Sequence, residues 1–275
     1  MVVLVENMEY AKASDFGFDL ILGFRQGALR DNWAVDIVEV TPELQKKETY
    51  DRFMRKHKYH GAFLMGFALK DPWMQSLSTT TVPTVLLDNY ISRNENVAYI
   101  GTDSHEGIDM AIEHLEKLGH KKIALLNGSM DSMVTTDRTD AYVSSMKSHG
   151  LEYTEDMIAY GYYVEESAKY HTKGLLDTGA TAIICGNDLL GIGVIKECER
   201  LGLKVPDDIS VIGFDNLPIS KTFDIPLTTI GQDRLDLGKN AYAGLYWLVQ
   251  HVPISKSLLR PQLIIRESTS KHHQK

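Results

Sequence analysis

The sequence of 275 residues has only two cysteines, Cys185 and Cys198, which is too few for a disulfide framework. Both lie in apolar surroundings, so we expect two buried, reduced thiols. No apolar run approaches the roughly 18 residues that a membrane-spanning helix needs. Residues 1–6 have no basic segment or cleavage site and are typical of a strand, not of a signal peptide. We therefore expect a cytoplasmic protein with no membrane partner, with a mature secreted form as the alternative.

Several enzyme motifs are also missing from the sequence: there is no Gly-x-Ser-x-Gly elbow, no Walker A loop and no Cys-x-x-Cys pair. Gly191 and Gly193 lie inside a helical pattern and lack the third glycine and preceding strand of a dinucleotide-binding motif. His105 and Glu106 begin like a zinc-protease motif, but Asp109 stands at its fifth position. We therefore predict no catalytic residue, no metal site and no cofactor.

The charge balance is acidic. The chain has 29 Lys+Arg against 37 Asp+Glu, a formal net charge of −8. Hydrophobic residues make up 43% and charged residues 24%, which is ordinary for a globular protein. An acidic chain of this kind is not expected to bind the phosphate backbone of nucleic acid by itself.

Short apolar runs alternate with segments of helical periodicity along the chain, which is typical of parallel sheets covered by helices on both faces. Strands are predicted at about 2–6, 34–40, 61–65, 83–87, 97–100, 122–126, 158–163, 181–185, 209–212 and 262–266. Helices are predicted at about 15–30, 42–57, 104–118, 136–149, 165–177, 188–201 and 234–252, with Ser104 as the N-cap of the third. This alternation predicts an α/β protein of two doubly wound parallel-sheet lobes.

Polar residues directly follow two of the predicted strands, where ligands of parallel sheets bind. Two sheets that face each other also place a cleft between the lobes. After strand 181–185, one residue of the pair Asn187 and Asp188 should cap the next helix while the other points into the cleft. Asp215 follows strand 209–212 and is either a ligand contact or a turn residue.

Three further side chains are candidates for the same cleft. Arg138 lies near a predicted helix start, where the helix dipole disfavours a cation, so it is either a ligand contact or a solvated arginine. Tyr162 and Tyr163 either offer an aromatic face to a pyranose ring or are simply packed. An arginine, an aspartate and an asparagine around one cleft would offer bidentate donors and acceptors to vicinal hydroxyls.

The chain resembles the lactose/galactose-repressor (LacI/GalR) family of bacterial transcription regulators. Residues 202–216, GLKVPDDISVIGFDN, match a family motif almost letter for letter, and residues 226–230, PLTTI, match a second one. Other matching positions, in the family's order, are Asp103, Gly107, Ala111, His114, Leu115, Gly119, His120, Ile123, Ala124, Arg138, Tyr142, Asn187, Asp188, Gln232, Leu237, Gly238, Arg266, Glu267, Ser268 and Thr269. The resemblance therefore spans essentially the whole chain.

The resemblance also implies a set of effector contacts. The expected polar contacts are Arg138, Asn187, Asp215 and Gln232. Tyr163 is expected as an aromatic over the ligand, Glu106 as an acidic contact and Phe16 as part of an apolar wall of the first lobe. The last two rest on a poorer match, because residues 8–15 depart from the family's usual loop. The Arg, Asn and Asp set fits a neutral sugar better than a purine.

The fold that the resemblance implies is periplasmic-binding-protein-like, type I, with three crossovers near residues 119, 231 and 261. The N-terminal lobe would comprise 1–119 and 232–260, and the C-terminal lobe 120–231 and 261–275. Residues 2–6 already form the first strand of the core, so we expect that the family's helix-turn-helix domain is absent from this chain.

The implied function is the effector-sensing and dimerisation core of a LacI-type regulator, with operator DNA bound only through the absent domain. A homodimer is expected through first-lobe helices and the stretch 234–252, whose Tyr242, Tyr246 and Trp247 are either interface or core. The alternative is a free-standing sugar-binding protein of a transport system. An enzyme would need a nucleophile or metal site in the cleft.

Overall fold

The computed structural model of the chain describes residues 1–272, which contain twelve strands and ten α-helices. The strands are β1 (Val2–Val5), β2 (Asp36–Glu39), β3 (Ala62–Met65), β4 (Thr84–Leu87), β5 (Val97–Thr102), β6 (Ile123–Asn127), β7 (Ile158–Tyr160), β8 (Ala182–Cys185), β9 (Ser210–Asp215), β10 (Thr228–Gly231), β11 (Lys256–Leu259) and β12 (Gln262–Ile264). The helices are α1 (Phe16–Arg30), α2 (Pro42–Lys47), α3 (Tyr50–His57), α4 (Pro72–Ser76), α5 (Ser104–Lys117), α6 (Met133–Ser148), α7 (Ala168–Asp177), α8 (Asp188–Arg200), α9 (Pro218–Thr222) and α10 (Arg234–Val249).

The chain forms two compact units that share interleaved segments. Unit 1 comprises Met1–Thr102, Asp131–Met133 and Asp233–Leu259. Unit 2 comprises Asp103–Met130, Val134–Gln232 and the segment from Arg260 onward. The last three residues of the predicted segment 261–275 lie outside the described residues.

Unit 1 contains a six-stranded sheet in the order β2-β1-β3-β4-β5-β11, and all of its strand pairs are parallel. Alternate residues of β1 enter two different cores. Val3 and Val5 pack with Phe24 of α1 and Leu245 of α10, whereas Leu4 packs with α3 and α4 on the other face. The inner strands β1, β3, β4 and β5 are therefore buried on both faces, as their continuous apolar runs predicted.

Unit 2 repeats this arrangement with the order β7-β6-β8-β9-β10-β12. Helices α5 and α6 pack on one face, and α7 and α8 pack on the other. Strand β12 pairs antiparallel with β10, so the sheet is not fully parallel. The strand order reverses between β6 and β8, and this switch point is where doubly wound sheets commonly bind ligands.

The first unit boundary differs from the predicted crossover near 119. It lies at Thr102, because the whole of α5 belongs to unit 2. The apolar side chains of α5 are buried in the core of the unit 2 sheet; they are Ile108, Ala111, Ile112 and Leu115. The other two boundaries, at Gln232 and Leu259, fall within two residues of the predicted crossovers.

Several local predictions were wrong at element ends. The predicted helix 42–57 is two helices, because Glu48 and Thr49 have extended backbone dihedrals. The N-cap of α5 is Asp103, not Ser104: its carboxylate accepts the backbone N–H of Glu106 at 3.0 Å. Strand β9 continues through Asp215 and does not end at residue 212.

Both cysteines are buried and free, as predicted. Burial raises the pKa of the Cys198 thiol to about 12, which makes it unreactive at neutral pH. Within the described residues, no helix is both long and apolar enough to cross a membrane.

Candidate functional site

The carboxyl edge of the unit 2 sheet brings together five of the seven predicted contact residues. They are Arg138, Tyr163, Asn187, Asp215 and Gln232. The last three directly follow or end the neighbouring strands β8, β9 and β10, whose register aligns their carboxyl ends. Parallel pairing therefore places residues that are far apart in the sequence at one edge.

Arg138 is buried, with 3% of its surface exposed. Its Nη1 donates to the carbonyl oxygen of Gly186 at 2.5 Å, and its guanidinium carbon lies 3.7 Å from the centroid of the Phe214 ring. Its Nε is buried without a hydrogen-bond partner in the part of the chain that the structure describes. This leaves a charged donor of fixed position at the switch point.

The prediction that Arg138 lies in the first turn of a helix was wrong. Helix α6 begins at Met133, three residues before the predicted start, so Arg138 lies in the second turn and not in the first. The helix dipole does not disfavour a cation there, because its effect is confined to the first turn. Burial against Phe214 is what distinguishes this arginine from a solvated one.

Asp215 and Gln232 form a buried pair next to Arg138's stacking partner. The Nε2 of Gln232 donates to Oδ1 of Asp215 at 2.6 Å. Both residues are 6% exposed. Asp215 has φ = 103°, a conformation that is rare for a residue with a side chain and is held here by its surroundings. The Oε1 of Gln232 has no hydrogen-bond partner among the described residues.

Asn187 is the N-cap of α8. Its Oδ1 accepts the backbone N–H of Leu190 at 2.9 Å, and its Nδ2 donates to the carbonyl oxygen of Tyr163 at 3.2 Å. The hydroxyl of Tyr163 lies 2.8 Å from the Thr135 hydroxyl. A Cβ at Gly128 would lie 2.1 Å from the Tyr163 ring, so only glycine permits this packing. Asn187 and Tyr163 are thus fixed relative to each other.

Asp188 has a role that the sequence did not indicate. It is fully buried, and its Oδ2 accepts the backbone N–H of Leu217 at 2.6 Å. Its Oδ1 accepts the Thr229 hydroxyl at 2.5 Å. Asp188 therefore does not point into a ligand site but supports the turn that follows Asp215. In the sequence, the only signal was an acidic residue directly after the N-cap Asn187, and it does not reveal this role.

Burial, and secondarily the charge of Asp215, raise the pKa of Asp188 to about 8, so its carboxyl group is neutral at pH 7. A folded-state pKa above the unfolded value gives stability that is fully present below about pH 4 and is lost as pH rises toward 8.

Replacing Asp188 with asparagine should remove this pH dependence, because the amide is also neutral and can keep one acceptor and one donor in place. Between pH 5 and 8, the free energy of unfolding should fall more steeply with pH for the wild type than for the Asp188→Asn variant, by up to about 1.4 kcal/mol per pH unit. Urea unfolding at pH 5, 6, 7 and 8 measures the slope, with the exposed Asp224→Asn as control. Equal slopes for the wild type and D188N would contradict the raised pKa.

The other two predicted contacts lie elsewhere. Glu106 is in the first turn of α5, and its Oε1 is 3.7 Å from Nη1 of Arg260, a largely exposed ion pair. Phe16 begins α1 in unit 1, where the Arg234 guanidinium lies 6.0 Å from its ring centroid. In the described part of the chain, no group of three or more His, Cys, Asp and Glu side chains is arranged to hold a metal ion.

The chain thus has two doubly wound α/β units of the same strand order, and one of them carries fixed polar groups at its switch point. Such repeated units are typical of the periplasmic-binding-protein-like class of α/β proteins. Residues 112–269 match the family of periplasmic binding protein-like domains. The Escherichia coli HTH-type transcriptional repressor CytR is 29% identical over 92% of this chain and 75% of its own length.

Solved structures of LacI-family regulators have the same fold as this chain. A LacI-family regulatory protein from Chloroflexus aggregans has a TM-score of 0.83 and 25% identity, covering 98% of this chain and 99% of that one. A LacI-family regulator from Enterococcus faecium with bound ribose has a TM-score of 0.80 and 22% identity, covering 99% and 100%. The chain belongs to the periplasmic-binding-protein-like family, and it is similar over most of its length to transcriptional regulators of the LacI type. The matches favour a regulator over a free-standing transport protein.

Proposed function

We propose that a neutral sugar is the effector and that it binds at the carboxyl edge of the unit 2 sheet. The observation that carries this proposal is a buried donor and acceptor, Nε of Arg138 and Oε1 of Gln232, without partners among the described residues. Such groups cost about 1–3 kcal/mol each when unsatisfied, which a ligand with both acceptors and donors would recover. Vicinal hydroxyls have this dual character.

The roles follow from the geometry of each side chain. Asp215 accepts two hydroxyl hydrogens, and Gln232, which already holds Asp215, adds an acceptor. Arg138 donates to a sugar oxygen, while Asn187 and Tyr163 border the same switch point. A carboxylate among these groups disfavours an anionic ligand. A purine is the competing ligand.

Glu106 and Phe16 are proposed as a secondary acidic contact and an apolar wall. Neither is part of the buried cluster, so we expect their replacement to weaken binding less than replacement of Asp215.

We infer that the effector shifts a population between two arrangements of the regulator that differ in affinity for operator DNA. The net charge of −8 supports assigning DNA contact to a helix-turn-helix domain of the kind named in CytR, and not to this core. We assign the protein to the cytoplasm, where such regulators act, and give it no catalytic step.

A thermal-shift panel of monosaccharides, disaccharides, sugar phosphates and purines tests the proposed ligand. A ligand that binds only the native state adds about 2.7 kcal/mol at a hundredfold excess over its Kd. We expect at least one neutral sugar to raise the melting temperature. A shift with a purine and with no sugar would refute the sugar assignment.

The proposed homodimer rests on the outer face of α1 in unit 1. Leu22 and Leu29 lie seven residues apart on one side of this helix, 40% and 75% exposed, and Trp247 of α10 is 49% exposed. Tyr242, by contrast, is 5% exposed and donates to Asp31, so it belongs to the unit 1 core. A second copy offering the same face would cover these apolar side chains.

Leu29→Glu should therefore weaken the dimer at least tenfold, because it places a charge at an apolar contact. Sedimentation velocity at micromolar concentrations measures the dimer fraction. Leu69→Glu, at another exposed leucine of unit 1, is the control. A wild type that sediments only as a monomer would refute the dimer.

A further inference from the structure

His149 directly follows the last residue of α6, and its imidazole lies between two carboxylates of the neighbouring helix α5. Its Nδ1 is 2.7 Å from Oε2 of Glu116, and its Nε2 is 3.3 Å from Oδ1 of Asp109. The His149 side chain is 19% exposed, so most of the ring is shielded from water. Each ring nitrogen therefore faces an oxygen of an acidic side chain on the other helix.

The protonated form of His149 fits this arrangement, and the neutral form does not. An ionised carboxylate accepts hydrogen bonds and donates none, whereas a neutral imidazole has one N–H and an imidazolium has two. Loss of the proton would therefore leave one ring nitrogen with its lone pair directed at a carboxylate oxygen. The carboxyl end of α6 favours the same protonated form, because the helix dipole is negative there.

The hydrogen bond to Glu116 raises the pKa of His149 above its ordinary value of 6.5, partial burial opposes this shift, and the hydrogen bond to Asp109 adds to it. A folded-state pKa above the unfolded value gives stability that is fully present below about pH 6.5 and is lost as pH rises through the folded-state pKa. The contact between α5 and α6 is thus sensitive to pH in the range where histidine acts as a switch.

The charged groups that act on His149 in the described part of the chain are Glu116 and Asp109, both on α5. Next to Glu116 along the same helix, Lys117 donates to Glu113 at 2.6 Å, so its charge is already paired. The two carboxylates therefore determine the charge state of the ring.

The side of α6 that ends in His149 also carries Arg138. Arg138, Ser145 and His149 are separated by seven and four residues, about two turns and one turn, so they lie on one side of the helix. The hydroxyl of Ser145 donates to the same Oδ1 of Asp109 at 2.5 Å. Of the two side chains that tie α6 to Asp109, the serine keeps its charge state at every pH, and His149 alone titrates near neutral pH.

A second histidine joins the same two helices nearer their amino ends. Nε2 of His105 on α5 is 3.9 Å from Oδ1 of Asp137 on α6, and the His105 side chain is 55% exposed. An ion pair of this length and exposure contributes little to stability. His105 is therefore a matched control for His149.

We propose that His149 is a pH-responsive latch: its protonated ring joins the end of α6, the helix that carries Arg138, to α5, and loss of the proton releases that end. All residues of the latch belong to unit 2, and its action does not depend on which effector binds.

Urea unfolding of the full 275-residue chain at pH 6 and pH 9 tests the latch. His149→Gln keeps an N–H donor but cannot become charged. At pH 6 the unfolding equilibrium constant of the wild type should be roughly threefold lower than that of H149Q, and at pH 9 the two should converge. His105→Gln should respond to pH as the wild type does. The raised pKa of Asp188 is common to all three proteins, so it cancels in the comparison.

NMR titration of the His149 ring in the folded wild type gives a second measurement. We expect a midpoint above pH 6.5, and Glu116→Gln should lower it, because this change removes the charge of the nearer carboxylate. The latch is overturned if the wild type and H149Q respond equally to pH, or if the ring titrates at or below pH 6.5.

Discussion

Replacing Asp215 with alanine should weaken effector binding by at least a hundredfold. The carboxylate is proposed to accept two hydroxyl hydrogens, and hydrogen bonds to a charged group contribute about 1.5–3 kcal/mol each. In the wild type, Nε2 of Gln232 donates to Oδ1 of Asp215 at 2.6 Å. Loss of the carboxylate removes this bond, so the Oε1 acceptor of Gln232 is no longer held in place. Calorimetry with the sugar found in the thermal-shift panel measures the affinity.

The same substitution should have little effect on the protein without ligand. Gln232 loses a hydrogen-bond partner, but the substitution also removes a carboxylate that is 6% exposed and therefore costly to keep charged, and these two changes oppose each other. The unliganded melting temperature should therefore stay within a few degrees of the wild type. Asp224→Ala, at an exposed aspartate of unit 2, is the matched control and should bind normally. A large loss of unliganded stability without loss of affinity would show that Asp215 is only a turn residue.

The sequence predicted the buried parallel strands well, because strands covered on both faces are continuous apolar runs. β8, with Ile183 and Ile184 fully buried, is the clearest case. Strand β11 alternates exposed and half-buried residues at a sheet edge and gave no comparable run. The antiparallel direction of β12 depends on pairing with β10, which no local pattern specifies.

The candidate site was predictable only in part. Residues after strands were found because the carboxyl edge of a parallel sheet concentrates ligand contacts, and Asn187 and Asp215 do lie there. The pairing of Gln232 with Asp215, and the support of Leu217 by Asp188, depend on how separate strands meet. Local sequence carries no information on such contacts, so the structure was needed to find them.

Glycine determines how closely α1 and α10 approach each other in unit 1. A Cβ at Gly238 would lie 2.0 Å from the backbone carbonyl oxygen of Leu20, and one at Gly23 would lie 2.0 Å from that of Leu235. Each helix therefore packs its glycine against the backbone of the other. Because the clash is with backbone, no side-chain rotation can relieve it, and the helices have to move apart.

Replacing Gly238 with alanine should thus destabilise the protein by about 3 kcal/mol or more, at the upper end of overpacking effects, and lower the melting temperature by roughly 10 °C. Gly174→Ala is the control: this glycine lies on α7 with nothing within 4 Å of its Cβ position. There the same change should stabilise by up to about 1 kcal/mol through helix propensity. Thermal unfolding followed by circular dichroism compares the two variants. If G238A melts like the wild type, the two helices are not in backbone contact, and the close packing of α10 on α1 is contradicted.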